Sequence, residues 1–306
     1  MRFYNTKIDI PEDFFKEEIR NGYTVTSKMK KAWAIQIDIL KELERICDKY
    51  NITYYADSGS MLGVVRNNQY IPWDDDIDVS MLRADYDRFM EVAPKELKHP
   101  YVFQSINTEE CYIRVHAQIR NTETTGMINW DIEMPYDKGI FIDIFPLDGI
   151  PDSKAAQRIQ HLRLSFLWKF LSTYRYNSHM KGVLPKILCG IAKPIYKIID
   201  YRKVYAHYDR LCAKYSDRNT KKISYVTYTQ ADDRYLYDRS DYATYHKEKF
   251  EFTDINIPDG YDGILTIEYG DYMKPANIPS CHGETIIEPE IPYKKYIEDN
   301  YETAKS

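Results

Sequence analysis

Four carboxylates fall within five residues at Asp74-Asp75-Asp76-Ile77-Asp78. Like charges at that density repel one another unless cations or hydrogen-bond donors compensate them. The neighbours Trp73, Ile77 and Val79 favour burial, which argues against a merely solvated acidic turn. Asp76-Ile77-Asp78-Val79 alternates with a period of two and predicts a strand from about Asp76 to Met81. On a strand, Asp76 and Asp78 project from one face. Two carboxylates so placed can hold a hard divalent cation through oxygen. Asp74 and Asp75 precede the strand and need not share that face. Asp143, in Phe141-Ile142-Asp143-Ile144-Phe145, has the same apolar setting. A neighbouring strand would bring it to the first pair as a third ligand.

Upstream lie Gly59-Ser60 and Gly63. Small residues let backbone N–H groups approach a phosphate closely. A helix opening at Ser60 would add its own unpaired donors. The carboxylates and this turn together suit metal-assisted transfer of a phosphorylated group. Arg66 can pair bidentately with phosphate oxygens, and Lys138, at the start of the third-carboxylate strand, is a second cationic candidate. His116 and Arg120 fall on a predicted strand with Arg114, where they either line the cleft or form a surface ladder.

The order of Gly-Ser, Asp-x-Asp strand and later apolar-Asp-apolar strand resembles the nucleotidyltransferase superfamily that includes DNA polymerase beta. More narrowly, DSGSMLGVVRNNQYIPWDDDIDVSMLRADYDRF resembles the LicD family of phosphocholine transferases, to which the fukutin-related proteins are similar. RVHAQIRNTETTG, KGIFIDIFPLDGIP and EYGDYM resemble it as well. The resemblance covers roughly residues 28–152, with a weaker echo at 262–273. It implies a nucleotidyltransferase-like mixed sheet flanked by helices, an α/β (α+β) fold. It implies transfer of phosphocholine, or a similar phospho-alcohol, from CDP-choline or another CDP-alcohol. The acceptor would be a glycan or lipid-linked glycan of the cell surface, and CMP would leave. Asp76, Asp78 and Asp143 fall where the family holds its metal, expected to be Mg²⁺ with Mn²⁺ as the substitute. Gly59 and Ser60 fall at the phosphate-side turn, and Arg66 closes the G-x-x-R stretch begun by Gly63. Asn67-Asn68 stands where many relatives have His or Lys with Gly. A choline head group would seek aromatic faces, for which Trp73 and Trp130 come first, with Tyr136 and Tyr235 behind them.

These residues need elements to hold them. Ile35, Ile39, Leu43 and Ile46 make residues 28–50 an amphipathic helix stopped near Asn51. Residues 52–56 predict a short strand, and Ala84 opens a helix that should end before Pro94. Residues 101–106, 111–119 and 139–145 predict strands. After Ser153, a candidate cap, apolar residues recur at helical spacing, and a second helical stretch runs from about 185 to 215. Short strands and turns follow over 223–260, then a helix over 262–269. We therefore expect a catalytic core over 1–152, a basic helical region over 153–222 and a C-terminal part over 223–306 that completes the fold.

The chain has 306 residues, ample for a full core. Its opening residues, MRFYNTKIDIPEDFF, lack the long apolar run expected of a secretory signal, no apolar run is long enough to span a membrane, and the five cysteines are scattered. A cytoplasmic location is the expectation. The net charge of -5 is uneven: sixteen Lys or Arg against three acids give residues 154–222 a charge of +13, and the rest carries -18. Such a segment can meet the acceptor or the inner face of a membrane, and no nucleic-acid partner is expected. Leu184, Ile187, Leu188, Ile191 and Ile195 form an apolar series within it. Two other readings compete. One is nucleotidyl transfer with release of pyrophosphate; the other is a non-catalytic glycan-binding protein, which would tolerate loss of Asp76.

Overall fold

The computed structural model of the chain describes residues 3, 6–175, 198–232, 235–274 and 285–302. The apolar series at 184–195 lies outside them, as do residues 185–197 of the second predicted helical stretch.

The architecture is mixed α/β. A hairpin of β1 (Glu18–Arg20) and β2 (Tyr23–Val25) leads into α1 (Ser27–Tyr50). Thr26 caps α1 by accepting the Met29 N–H at 3.2 Å, and Asn51 ends it in the left-handed region at φ 52°. Next come β3 (Tyr55–Ala56), α2 (Ser58–Asn67), β4 (Asp78–Leu82) and α3 (Arg83–Glu96). Then follow β5 (Tyr101–Gln104), β6 (Ala117–Asn121), β7 (Thr125–Ile128) and the long β8 (Ile140–Ile150). The basic region contributes α4 (Lys154–Arg175) and α5 (Tyr201–Cys212). The C-terminal part supplies β9 (Lys222–Ser224), α6 (Val226–Thr229), β10 (Tyr237–Asp238), β11 (Tyr245–Phe250), β12 (Thr253–Pro258), α7 (Tyr261–Tyr269) and β13 (Thr285–Glu288).

Among the described residues, β8 is the spine of a seven-stranded sheet. It pairs parallel with β4 on one edge. On the other edge its first half pairs antiparallel with β6 and its last residues with β9. β3 continues the sheet beyond β4, β5 beyond β6, and β10 beyond β9. One face is greasy and the other chemical. Val79 and Met81 of β4, with Ile140, Ile142 and Ile144 of β8, are buried in the main core with Trp33, Ile37 and Leu40 of α1. The alternate positions, Asp78 and Ser80 on β4 and Asp143 and Phe145 on β8, face the other way, as a period of two requires.

A second apolar cluster joins Leu164 and Leu171 of α4 to Tyr205, Tyr208 and Cys212 of α5 and to Ile150 at the end of β8. Arg83 at the start of α3 forms a bidentate ion pair with Asp148 of β8, 2.7 Å on each arm, and both side chains are buried.

Several boundaries differ from the sequence expectation; β3 is cut to Tyr55–Ala56, β5 ends at Gln104 and β8 runs on to Ile150. β4 begins at Asp78 rather than Asp76, because β3 is only two residues long and pairs at Val79 and Ser80. The chain is nonetheless held one residue earlier by a hydrogen bond from Asp143 N to Ile77 O at 2.9 Å. Residues 111–116 precede β6 and make no ladder. Pro94 lies inside α3, in its last turns, where its missing N–H deprives only the Met90 carbonyl of a partner.

Candidate active site

β4 and β8 run parallel with Asp78 opposite Asp143. Register partners in a sheet share a face, so the two carboxylates stand side by side across the ladder. Asp76 approaches from the extended segment before β4, and ligand oxygens of Asp76, Asp78 and Asp143 lie within 4.8 Å of one another. The segment is held by α1: Trp33 Nε1 donates to Asp74 O at 3.0 Å, and Gln36 Nε2 to Asp75 O at 2.6 Å. From α2, Ser60 Oγ accepts the Asp78 N–H at 3.0 Å.

The electrostatics are those of a buried anionic cluster. Burial, and then the charges of Asp76 and Asp143, push the Asp78 carboxyl well above its usual range. Burial also works to raise Asp143. The His116 imidazole, Arg114 and the Gln118 amide outweigh it and hold Asp143 below its usual value. His116 Nε2 lies 3.4 Å from Asp143 Oδ1, and its ring packs on Phe145 at 4.6 Å between centroids. Three converging carboxylates are hard oxygen donors of the kind Mg²⁺ and Mn²⁺ take, so the residues fit such an ion.

The three open onto a cavity of about 330 Å³ whose other lining residues are Asp57, Ser58, Phe145, Tyr225, Tyr228, Tyr235, Tyr237, Glu268 and Tyr269. Among these lining residues there is no lysine, arginine or histidine. Two tyrosines serve carboxylates: Tyr225 Oη donates to Asp57 Oδ1, and Tyr237 Oη to Glu268 Oε1 at 2.6 Å. Burial pushes the Asp57 carboxyl up to about 6. Burial, with Asp57 nearby, pushes Glu268 up to about 8. Tyr228, Tyr235 and Tyr269 keep substantial exposure, 64% for Tyr228, and so offer ring surface to a ligand.

The other residues singled out in the sequence lie elsewhere around this centre. α2 opens at Ser58 rather than Ser60, with Asp57 as its cap accepting the Ser58 N–H at 2.8 Å. Gly59 is thus in the first turn, and a Cβ there would fall 2.7 Å from Asp74 Oδ2. Gly63 lets the chain pass: a Cβ would fall 2.3 Å from Gln69 O. Arg66 donates to the carbonyls of Tyr272 and Lys274 at 2.5 and 3.0 Å. Lys138 donates to those of Met134 and Tyr136 at 2.6 and 2.9 Å. Neither cation lines the cavity. Trp73 packs edge-on to Tyr23, and the Trp130 side chain lies outside the described set. Tyr136 is buried with its hydroxyl on Asp131. Arg114 pairs with Asp131 at 2.8 Å, and Arg120 is fully buried, so Arg114, His116 and Arg120 form neither a surface ladder nor a cavity wall.

Of the cavity wall, sequence reasoning named only Tyr235 besides the carboxylates. Tyr225, Tyr228 and Tyr237 are three of 29 tyrosines, and no local pattern marks them or Asp57. Glu268 and Tyr269 sit within EYGDYM, which was the available signal.

Residues 51–170 match the LicD/FKTN/FKRP nucleotidyltransferase domain. The chain is 27% identical over 260 residues to the lipopolysaccharide cholinephosphotransferase LicD of Haemophilus influenzae, an alignment spanning 80% of this chain and 91% of that protein. It is also 33% identical over 123 residues to an uncharacterized protein of Rickettsia prowazekii, 40% of this chain and 42% of the other. A shorter match, 35% over 66 residues, joins it to an uncharacterized protein of Rickettsia typhi, 22% of this chain and 21% of that one.

Proposed function

We propose that the chain is a LicD-type transferase, a reading supported by the match of residues 51–170 and the likeness to the Haemophilus influenzae protein, and that it moves phosphocholine, or a similar phospho-alcohol, from a CDP-alcohol to a hydroxyl of a cell-surface glycan or its lipid-linked precursor. The observation that carries this reading is the junction of two surfaces in one cavity: the Asp76–Asp78–Asp143 cluster and a wall of tyrosines beside Glu268. The first suits a diphosphate with its cation. The second suits a quaternary ammonium, which makes no hydrogen bonds and is attracted to aromatic faces. The name of the Haemophilus influenzae relative points to a lipopolysaccharide-type acceptor.

Asp76, Asp78 and Asp143 would hold Mg²⁺, or Mn²⁺ in its place; such an ion, when bound, neutralises charge on the phosphate oxygens. Gly59 and Ser60 do not line the cavity, but they follow the lining residue Ser58 in the first turn of α2, whose backbone N–H groups would be offered to a phosphate oxygen. Tyr228, Tyr235 and Tyr269 would orient the head group and exclude water from it. The acceptor oxygen attacks the distal phosphorus, the one bearing the alcohol. A new O–P bond forms, the bond from that phosphorus to the bridging oxygen breaks, and CMP leaves with the bridging oxygen. The acceptor proton goes to Asp143, which its neighbours hold ionised.

The membrane face of this reading falls on α4. Ile159, Leu162 and Phe166 recur on one side of that helix and are 53%, 69% and 73% exposed, with Lys154, Arg158 and Arg163 around them. Such a basic, apolar-faced helix suits an anionic bilayer surface, where a lipid-linked acceptor would be found. No described helix is long and apolar enough to cross a membrane.

The test is product analysis with CDP-choline, Mg²⁺ and a lipopolysaccharide-type acceptor. CMP formed one-for-one with modified acceptor supports the reading; pyrophosphate from a nucleoside triphosphate would replace it with nucleotidyl transfer.

A further inference from the structure

Beside Asp78 and Asp143, a third side chain stands in the same rank. Gln118 of β6 is the antiparallel register partner of Asp143, so Asp78, Asp143 and Gln118 lie abreast on β4, β8 and β6. Gln118 Nε2 donates to Asp143 Oδ1 at 2.5 Å. Gln118 Oε1 is occupied from behind, accepting from Tyr112 Oη at 2.9 Å and Arg120 Nη2 at 2.7 Å. Arg120 is fixed in turn, its Nη1 donating to the carbonyls of Gly126 at 2.8 Å and Gly139 at 2.7 Å. Tyr112, Gln118 and Arg120 are all buried to within 1%.

This arrangement leaves the amide one orientation. Turned over, its NH₂ would face a guanidinium and a hydroxyl that both donate, while its oxygen would face a carboxylate. We propose that Gln118, locked by Arg120 and Tyr112, is a positioning residue for Asp143: it fixes the carboxylate by one oxygen and leaves the other for a cation shared with Asp76 and Asp78. A glutamine suits the task because it donates a strong hydrogen bond without bringing a positive charge against the cation site. A lysine or arginine here would pair with Asp143 and compete with the ion. The Arg120 charge that locks the amide is kept one side chain away from Asp143. Donors behind a ligating carboxylate commonly govern metal affinity, and their loss costs about 10- to 100-fold.

The inference rests on the metal reading of the three carboxylates, and the test separates the two. Gln118→Glu keeps an acceptor for Tyr112 and Arg120, so the buried cluster stays satisfied, but it replaces the donor facing Asp143 with a negative oxygen. Binding of Mn²⁺ to the purified protein without substrates is read from the loss of the free-ion electron paramagnetic resonance signal, with circular dichroism and a thermal melt checking the fold. The expected result is wild-type binding that Gln118→Glu weakens about 10- to 100-fold with the fold unchanged. Gln118→Met, which removes the donor without adding charge, should weaken it in the same direction. A folded Gln118→Glu protein binding Mn²⁺ within twofold of wild type overturns the positioning role alone. Wild type that binds no Mn²⁺ overturns the metal site and the positioning role with it.

Discussion

Asp78 and Asp143 are register partners across the parallel pair β4 and β8, so the 64 residues of intervening chain close onto a single point of one sheet face. Both carboxylates alternate with residues of the main core, Val79 on one strand and Ile142 and Ile144 on the other. Slipping either strand by one residue would expose those apolar side chains and bury the acids in the core. The hydrophobic pattern therefore positions the chemistry.

Asp78→Asn and Asp143→Asn are expected to lower turnover at least about 100-fold, the upper end of what substitutions behind a metal ligand cost. Without metal, Asp78→Asn should melt no lower than wild type, because it relieves the repulsion that holds the Asp78 carboxyl high. Initial rates and melts in chelator check both. An Asp78→Asn enzyme with wild-type turnover would remove the carboxylate cluster from the mechanism.

The cavity carboxylates give the metal-free protein a pH signature. Glu268 is raised from 4.5 to about 8 and Asp57 from 3.8 to about 6. In both cases the folded state holds the proton more tightly than the unfolded chain. Their contribution to stability is present below the ordinary carboxyl range and is lost as pH rises through about 6 for Asp57 and about 8 for Glu268. The melting temperature in chelator should fall between about pH 5 and pH 9, and Glu268→Gln should flatten the upper part of that fall. A slope at high pH unchanged by Glu268→Gln would contradict the assignment.

The aromatic wall should separate binding from chemistry. Tyr235→Ala and Tyr228→Ala remove ring surface worth about 0.5–2 kcal/mol each to a cation. They should raise KM for CDP-choline several-fold with a smaller effect on kcat, and should barely affect a CDP-alcohol with a neutral head group. Equal losses on charged and neutral donors would move the head group elsewhere.

The carboxylates were legible because alternation with apolar neighbours exposes a misplaced charge, as at Asp78 and Asp143. The same logic located α1, β8 and α7. The aromatic wall was not legible in the same way. Tyr228 and Tyr237 stand on short elements and Tyr225 and Tyr235 on the chain beside them, and packing rather than any period turns them to the cavity. Arg66 and Lys138 show the converse. Their types suited phosphate, yet in the fold their donors meet carbonyl oxygens, a choice fixed by tertiary contacts that no local pattern encodes.

Contact with a membrane predicts a salt-dependent equilibrium. The protein should co-sediment with anionic vesicles at low salt and release as salt rises, since surface charge is screened over about 8 Å at physiological ionic strength. Phe166→Ser with Leu162→Ser should weaken binding at every salt concentration by removing the apolar part of the α4 face. Absence of binding at low salt would leave the basic region to meet the acceptor directly.

The central claim is transfer of the phospho-alcohol rather than the nucleotide, and the most direct measurement is ³¹P NMR of the reaction in the presence of Mg²⁺. With CDP-choline and acceptor, the diphosphate resonances should give way to equal amounts of CMP and a new phosphodiester on the glycan, with no change in the Asp78→Asn sample. Retention of the cytidine phosphate on the acceptor, with free phosphocholine released, would contradict the account.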